Sequence, residues 1–150
     1  MPSRVPELID ALVEMAKADD GLAGVRVTDG PEVSEDDAPD WLIVGFDGDP
    51  DGEFLAAQTE GGWSDLATGR EEQFQLVVAA IAKRGDTNMR AARLRAYAIG
   101  GRLEALLRAD PRVGLSSLEA AIVQTRLLQP QSDLGAMAVL LLTVAGRAFT

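Results

Sequence analysis

No cysteine and no histidine occurs in the 150 residues. That excludes disulfides, thiol nucleophiles, imidazole general bases and the usual zinc ligand sets. Any chemistry would fall to carboxylates, hydroxyls, lysine and arginine. A second absence is local. Residues 27–69 contain no Lys or Arg at all, against twelve Asp and Glu. The remainder is nearly balanced, so the formal net charge of −10 is almost the property of this one segment. Such a segment repels phosphates, which argues against specific nucleic-acid binding. A third absence is a bilayer-length apolar run. The longest largely apolar stretch, 134–146, is 13 residues, whereas a spanning helix needs about 20. It reads as a buried strand, and no membrane partner is expected. Met1-Pro2-Ser3-Arg4 runs straight into an amphipathic pattern containing acids rather than into a signal-peptide core.

What is present suits one globular domain over 1–150. With 47% hydrophobic and 25% charged residues, the chain can bury a core. The clearest periodicity lies at 88–107. Ala92, Ala96, Ile99, Leu103, Leu106 and Leu107 recur every three or four residues, which predicts one apolar helix face. Asp86, Thr87 or Asn88 can cap its start, and Pro111 ends it. Arg90, Arg93, Arg95, Arg102 and Arg108 largely occupy the rest of its surface. Gly100-Gly101 in mid-helix costs about 1 kcal/mol per Gly relative to Ala. Such a pair implies the close approach of another element, here a sheet.

The first helix is predicted over 5–18, from Val5, Leu8, Ile9, Leu12, Val13 and Ala16, with Ser3 as its cap. Strands are predicted at 25–28, 41–46, 71–82, 117–128 and 136–149, with a short one at 55–58. The fold class is therefore α+β, in the order α-β-β-β-α-β-β: a mostly antiparallel sheet with two helices packed on one face. This leaves a burial problem. In the last strand Val139, Leu141 and Ala145 point away from the helices, and an exposed Val or Leu forgoes roughly 1.5–3 kcal/mol of burial. Either the chain's own loop at 47–69 or a partner subunit must cover that face.

Three groups are candidate sites. Asp47-Gly48-Asp49-Pro50-Asp51-Gly52 matches the start of a calcium loop, which makes Asp47, Asp49 and Asp51 the residues a metal would take. The match fails at the twelfth place, where Gln58 stands instead of Glu, so the string reads as a solvated acidic turn. No cofactor is expected. Carboxylate pairs could serve a hydrolase, but nothing in the sequence frames a cleft around them. Trp63, in a long glycine-containing loop, is a candidate contact residue. The arginines of the central helix can meet acids of a neighbouring subunit.

Several strings in order resemble the tail terminator, or tail completion, proteins of long-tailed bacteriophages. These are Trp63-Ser64-Asp65-Leu66, Arg70-Glu71-Glu72-Gln73-Phe74, Ala91-Ala92-Arg93-Leu94-Arg95-Ala96, Leu106-Leu107-Arg108-Ala109-Asp110-Pro111 and Asp133-Leu134-Gly135-Ala136. The resemblance spans nearly the whole chain and includes no catalytic motif. The acidic insert at 47–53 departs from it. It implies a non-enzymatic virion protein that forms a ring, typically hexameric, on the head-proximal end of the tail tube. The implied partners are further copies of itself, the tail tube protein and a head–tail connector or neck protein. The implied location is the virion's head–tail junction, with host cytoplasm during assembly. Trp63, Arg70, Arg90, Arg93 and Arg95 are then expected at interfaces. Glu35, Asp36, Asp37 and Asp40 are expected as a repulsive wall along a bore through which DNA slides. A connector or stopper protein and a calcium-binding module are the alternatives.

Overall fold

The computed structural model describes residues 3–31, 38–61, 70–132 and 135–149. Two helices lie on one face of a seven-stranded sheet. The elements are α1 (Val5–Ala18), a 3-10 turn (Asp20–Leu22), β1 (Arg26–Asp29), β2 (Asp40–Val44), β3 (Ala57–Gly61), β4 (Glu71–Arg84), α2 (Met89–Ala109), β5 (Leu118–Leu128), β6 (Gln131–Ser132) and β7 (Gly135–Phe149). The α+β order read from the sequence holds. The two-residue β6 extends the hairpin before β7, and the short middle strand sits two residues later than its predicted position.

β4 and β7 form the spine. They pair antiparallel without interruption from Glu71 opposite Phe149 to Arg84 opposite Ala136. β2 and β3 share the other edge of β4: β2 pairs with Val78 to Ala82 and β3 with Glu72 to Leu76. β1 joins β2 in parallel, the one parallel pairing among the described strands. β5 flanks β7, with a register shift between Ile122 and Gln124. Ile122 and Val123 are consecutive apolar residues at that bulge. The extra residue swaps the parity of the strand, because side chains alternate faces with a period of two. Leu118 and Ala120 face the helices before it, and Leu127 after it, while Val123 is left 62% exposed.

The main core lies between helices and sheet. Leu8 and Leu12 of α1 and Ala92, Ala96, Ile99, Leu103 and Leu107 of α2 meet Leu42, Leu76, Val78, Leu140, Leu142 and Val144. Leu106, expected on the buried face of α2, is only half-buried. Gly100 does allow close packing: a Cβ there would fall 2.8 Å from Leu140 Cδ2. Gly101 faces open space, so only one of the two glycines has a packing reason.

Helix ends are satisfied as the sequence suggests. The Asn88 side chain accepts from the Ala91 N–H at 3.0 Å, and Asp86 accepts from the Asn88 N–H. Ser3 Oγ accepts from the Val5 N–H, although Arg4 holds the N-cap position. Arg4 also staples α1 to the strand ends. Its N–H donates to Glu72 Oε1, and its guanidinium donates to the carbonyls of Ser116 and Phe149 and to Glu7.

The second face resolves the burial problem in part. Trp41, Ile43, Phe46, Ala79, Ile81 and Val139 form a smaller cluster there. The chain's own loop after Phe46 lies over it. Gly48, at φ +81°, would place a Cβ 3.2 Å from Ile81 Cδ1 and 3.6 Å from Val139 Cγ1. A side chain at this position would be both strained and crowded. Phe54 then stacks on Phe46, with centroids 5.4 Å apart and planes 7° from parallel.

Candidate interaction surfaces

The arginines of α2 look alike in sequence, yet the fold sorts them by partner. Arg95 Nε donates to Asp40 Oδ2 at 2.9 Å, and Arg84 Nη1 donates to Asp40 Oδ1 at 3.0 Å. Asp40 opens β2, where it pairs with Ala82, and α2 packs against the same strands. Sequence reading sets Arg95 among residues that meet a neighbour and Asp40 in a repulsive wall. The structure joins the two residues to each other inside one subunit, with Arg95 still 34% exposed.

Arg102 makes a two-pronged pair with Asp19 at the end of α1, at 2.6 and 2.7 Å. That hydrogen bond holds the Asp19 carboxyl below its ordinary value of 3.8 and raises Arg102 above its own. Arg108 pairs with Glu104 one turn back on the same helix. Arg93 donates to the neutral amide of Gln129. Arg90 is exposed. Arg90 and Arg93 are thus the two arginines of α2 without an acid partner among the described residues.

The outward side of α2 is not simply charged. Leu94 is 51% exposed and Tyr97 47%. At 100° per residue both lie on the side away from Ala96 and Leu103, in one stripe with Arg90, Ala98 and Gly101. In the sequence the stripe is masked by the arginines between its members. Plotting Leu94 and Tyr97 on the helical wheel against Ala92 and Ile99 finds it.

The loop on the opposite side of the sheet presents a contrasting surface. Asp49, Asp51 and Glu53 are exposed, and Phe54 and Leu55 beside them are 50% and 41% exposed. The loop orders itself: Asp47 Oδ1 accepts from the Asp49 N–H and Asp49 Oδ1 from the Asp51 N–H, each at 2.9 Å. Asp and Asn commonly make such turns with the backbone two residues on. Among the described residues no group of three or more acids is arranged to hold a metal ion.

Arg70 stands exposed just ahead of β4. Trp63, Glu35, Asp36 and Asp37 lie outside the described residues. The far end of the sheet carries a polar ladder in which Arg147 bridges Glu119 at 2.8 Å and Glu71 at 3.7 Å. A shallow concavity of about 970 Å³ runs there, lined by residues of β3, β4, β5, β7 and the end of α2. Its wall mixes Gln, Glu and Ala with Arg108, Arg147, Phe74, Leu107 and Ile122. No helix of the described residues is long and apolar enough to cross a membrane.

Comparison with known proteins gives a fold-level answer. No protein-family model matches this chain, and no curated protein matches it. Among solved structures, it is similar to a chain in the virion of a native gene transfer agent particle. The TM-score is 0.67 and the identity 17%, and the alignment covers 95% of each chain. The two chains share an architecture along nearly their whole length.

Proposed function

We propose that this chain is a non-enzymatic structural virion protein that caps the head-proximal end of a phage tail tube as a ring. It ends tube polymerisation and offers the docking surface for neck proteins, and DNA passes through its bore. The observation that carries the reading is the end-to-end likeness to a chain of a virion particle. The ordered strings Trp63 to Leu66, Arg70 to Phe74 and Ala91 to Ala96 supply the finer assignment to tail completion. The exposed apolar residues on α2 and on the 47–55 loop support self-association, since contiguous apolar surface marks interaction sites.

The test is electron microscopy of the protein mixed with tail-tube subunits. Rings at one end of tubes of limited length are expected. Tubes that grow unchecked with bare ends refute the capping role. Binding to the portal end of DNA-filled heads rather than to tubes would favour the connector reading, which the same virion likeness supports. Glu35, Asp36, Asp37 and Asp40 are proposed as repulsive bore residues. Replacing all four with amides should slow genome passage while leaving assembled tails, and normal infectivity of that mutant overturns the role.

A further inference from the structure

We infer that the Arg90–Tyr97 side of α2 and the acidic, aromatic tip of the 49–55 loop are the two halves of one head-to-tail contact between copies of this chain. The inference rests on the ring reading and supplies the surfaces that such a ring would join.

Three observations carry it. The first is charge. Arg90 and Arg93 are the α2 arginines that no acid neutralises among the described residues, and they sit beside Leu94 and Tyr97. The loop tip offers Asp49, Asp51 and Glu53, which form no ion pair among the described residues, beside Phe54 and Leu55. Each patch thus pairs an apolar centre with charge of one sign, and the signs are opposite. That is the complementarity that steers and registers protein contacts.

The second is exposure. Leu94, Tyr97, Phe54 and Leu55 are four of the seven large hydrophobic residues that stand exposed among those described. Tyr and Phe are residue types enriched in interface centres.

The third is position. α2 packs on the face that holds the main core, whereas the loop lies over the cluster of Trp41, Ile81 and Val139 on the other face. A sheet separates the patches, so they cannot meet within one molecule. Either patch docked on its own copy in a two-fold dimer would set arginine against arginine, or acid against acid. A reciprocal two-fold pairing, loop on helix and helix on loop, would need both patches of each copy to face the same partner, which their placement on opposite faces of the sheet opposes. A heterologous contact, loop of one copy on helix of the next, satisfies both. Such contacts propagate, and they close into a ring when the rotation between copies permits.

The absence of cysteine makes the test clean. Leu55→Cys and Tyr97→Cys together, in the full-length protein, place one thiol in each patch. Mild oxidation should give a ladder of disulfide-linked oligomers on a non-reducing gel, extending beyond the dimer. Each single-cysteine variant should stay monomeric under the same treatment, and thermal melts near that of the parent show that the variants fold. Arg90→Glu with Arg93→Glu in the double-cysteine background should abolish the ladder. Adding Asp51→Lys and Glu53→Lys should restore it.

Absence of a ladder in the double-cysteine protein overturns the inference. So does efficient dimer formation by either single-cysteine variant, which would signal a two-fold contact. Failure of the ring reading is read separately, from bare tube ends by microscopy. A ladder with bare tubes sinks the capping role and keeps the contact; capped tubes without a ladder do the reverse.

Discussion

Gly100 and Gly101 are adjacent in one helix and should respond in opposite ways to the same substitution. Both lie in the interior of α2, where Ala is favoured over Gly by about 1 kcal/mol. At Gly101 an added Cβ meets nothing within 4 Å, so the propensity gain is undiminished. Gly101→Ala should stabilise the protein by about 1 kcal/mol, a rise in Tm of roughly 2–4 °C for a domain of this size. At Gly100 the same methyl arrives 2.8 Å from Leu140 Cδ2 and 3.5 Å from Leu142 Cδ1. Both leucines are 2% exposed, held in the main core. Overpacking a filled core costs about 1–3 kcal/mol, so Gly100→Ala should range from neutral to about 2 kcal/mol destabilising once the propensity gain is set against it. Urea unfolding of the two variants and the parent, at concentrations where each is monomeric, measures the difference. A Gly100→Ala protein more stable than Gly101→Ala would refute the packing argument. So would Gly101→Ala that lowers stability.

Other substitutions test other joints. Gly146→Ala would drive a Cβ to 1.9 Å from the Glu119 carbonyl oxygen, a backbone atom of the paired strand; a loss of about 3 kcal/mol or more is expected in denaturant titration. Asp40→Asn removes the charge shared by Arg84 and Arg95, which are 28% and 34% exposed. With that exposure allowed for, about 1–2 kcal/mol of stability should be lost, and less at high salt. Arg102→Ala should change the acid limb of the stability profile. Asp19 is held below 3.8 by Arg102, so the pair stabilises the fold above that pH, and the contribution fades as pH falls through the folded-state value. Parent and variant should therefore differ at pH 6 and converge at the acid extreme, as followed by thermal melts across pH.

Local patterns that depend on neighbours in sequence were legible. The three- and four-residue spacing of Ala92, Ala96, Ile99 and Leu103 defined α2, and the alternation from Phe74 to Ala82 defined β4. The run of acids at 47–53 was visible as well, but not its placement over Trp41 and Ile81, because nothing local tells a loop which sheet face to cross. The Asp40–Arg84–Arg95 joint spans 44 and 55 residues of sequence and leaves no periodic trace. Arg95 looks no different in the sequence from Arg93, which meets only an amide. The parallel pairing of β1 with β2 was hidden for a similar reason: Arg26 to Asp29 reads the same whether its neighbour runs with it or against it. Ile122-Val123 was a legible sign of the β5 bulge that an unbroken strand reading overlooked.

The place of β7 in the sheet has a consequence for how a nascent chain folds. β7 follows every other strand in sequence, yet it lies between β4 and β5 and pairs along their length. Until it leaves the ribosome, β4 has an open edge of 14 residues, and β5 has no partner strand among those described. At about 5–20 residues per second, the interval from the end of β4 to the end of β7 lasts roughly 3–13 s. During that time the unpaired N–H and C=O groups along that edge are a template for strands of other nascent chains. α2 emerges within the interval, between β4 and β5. It can shelter the apolar face of β4 early while the hydrogen-bonding edge waits for β7.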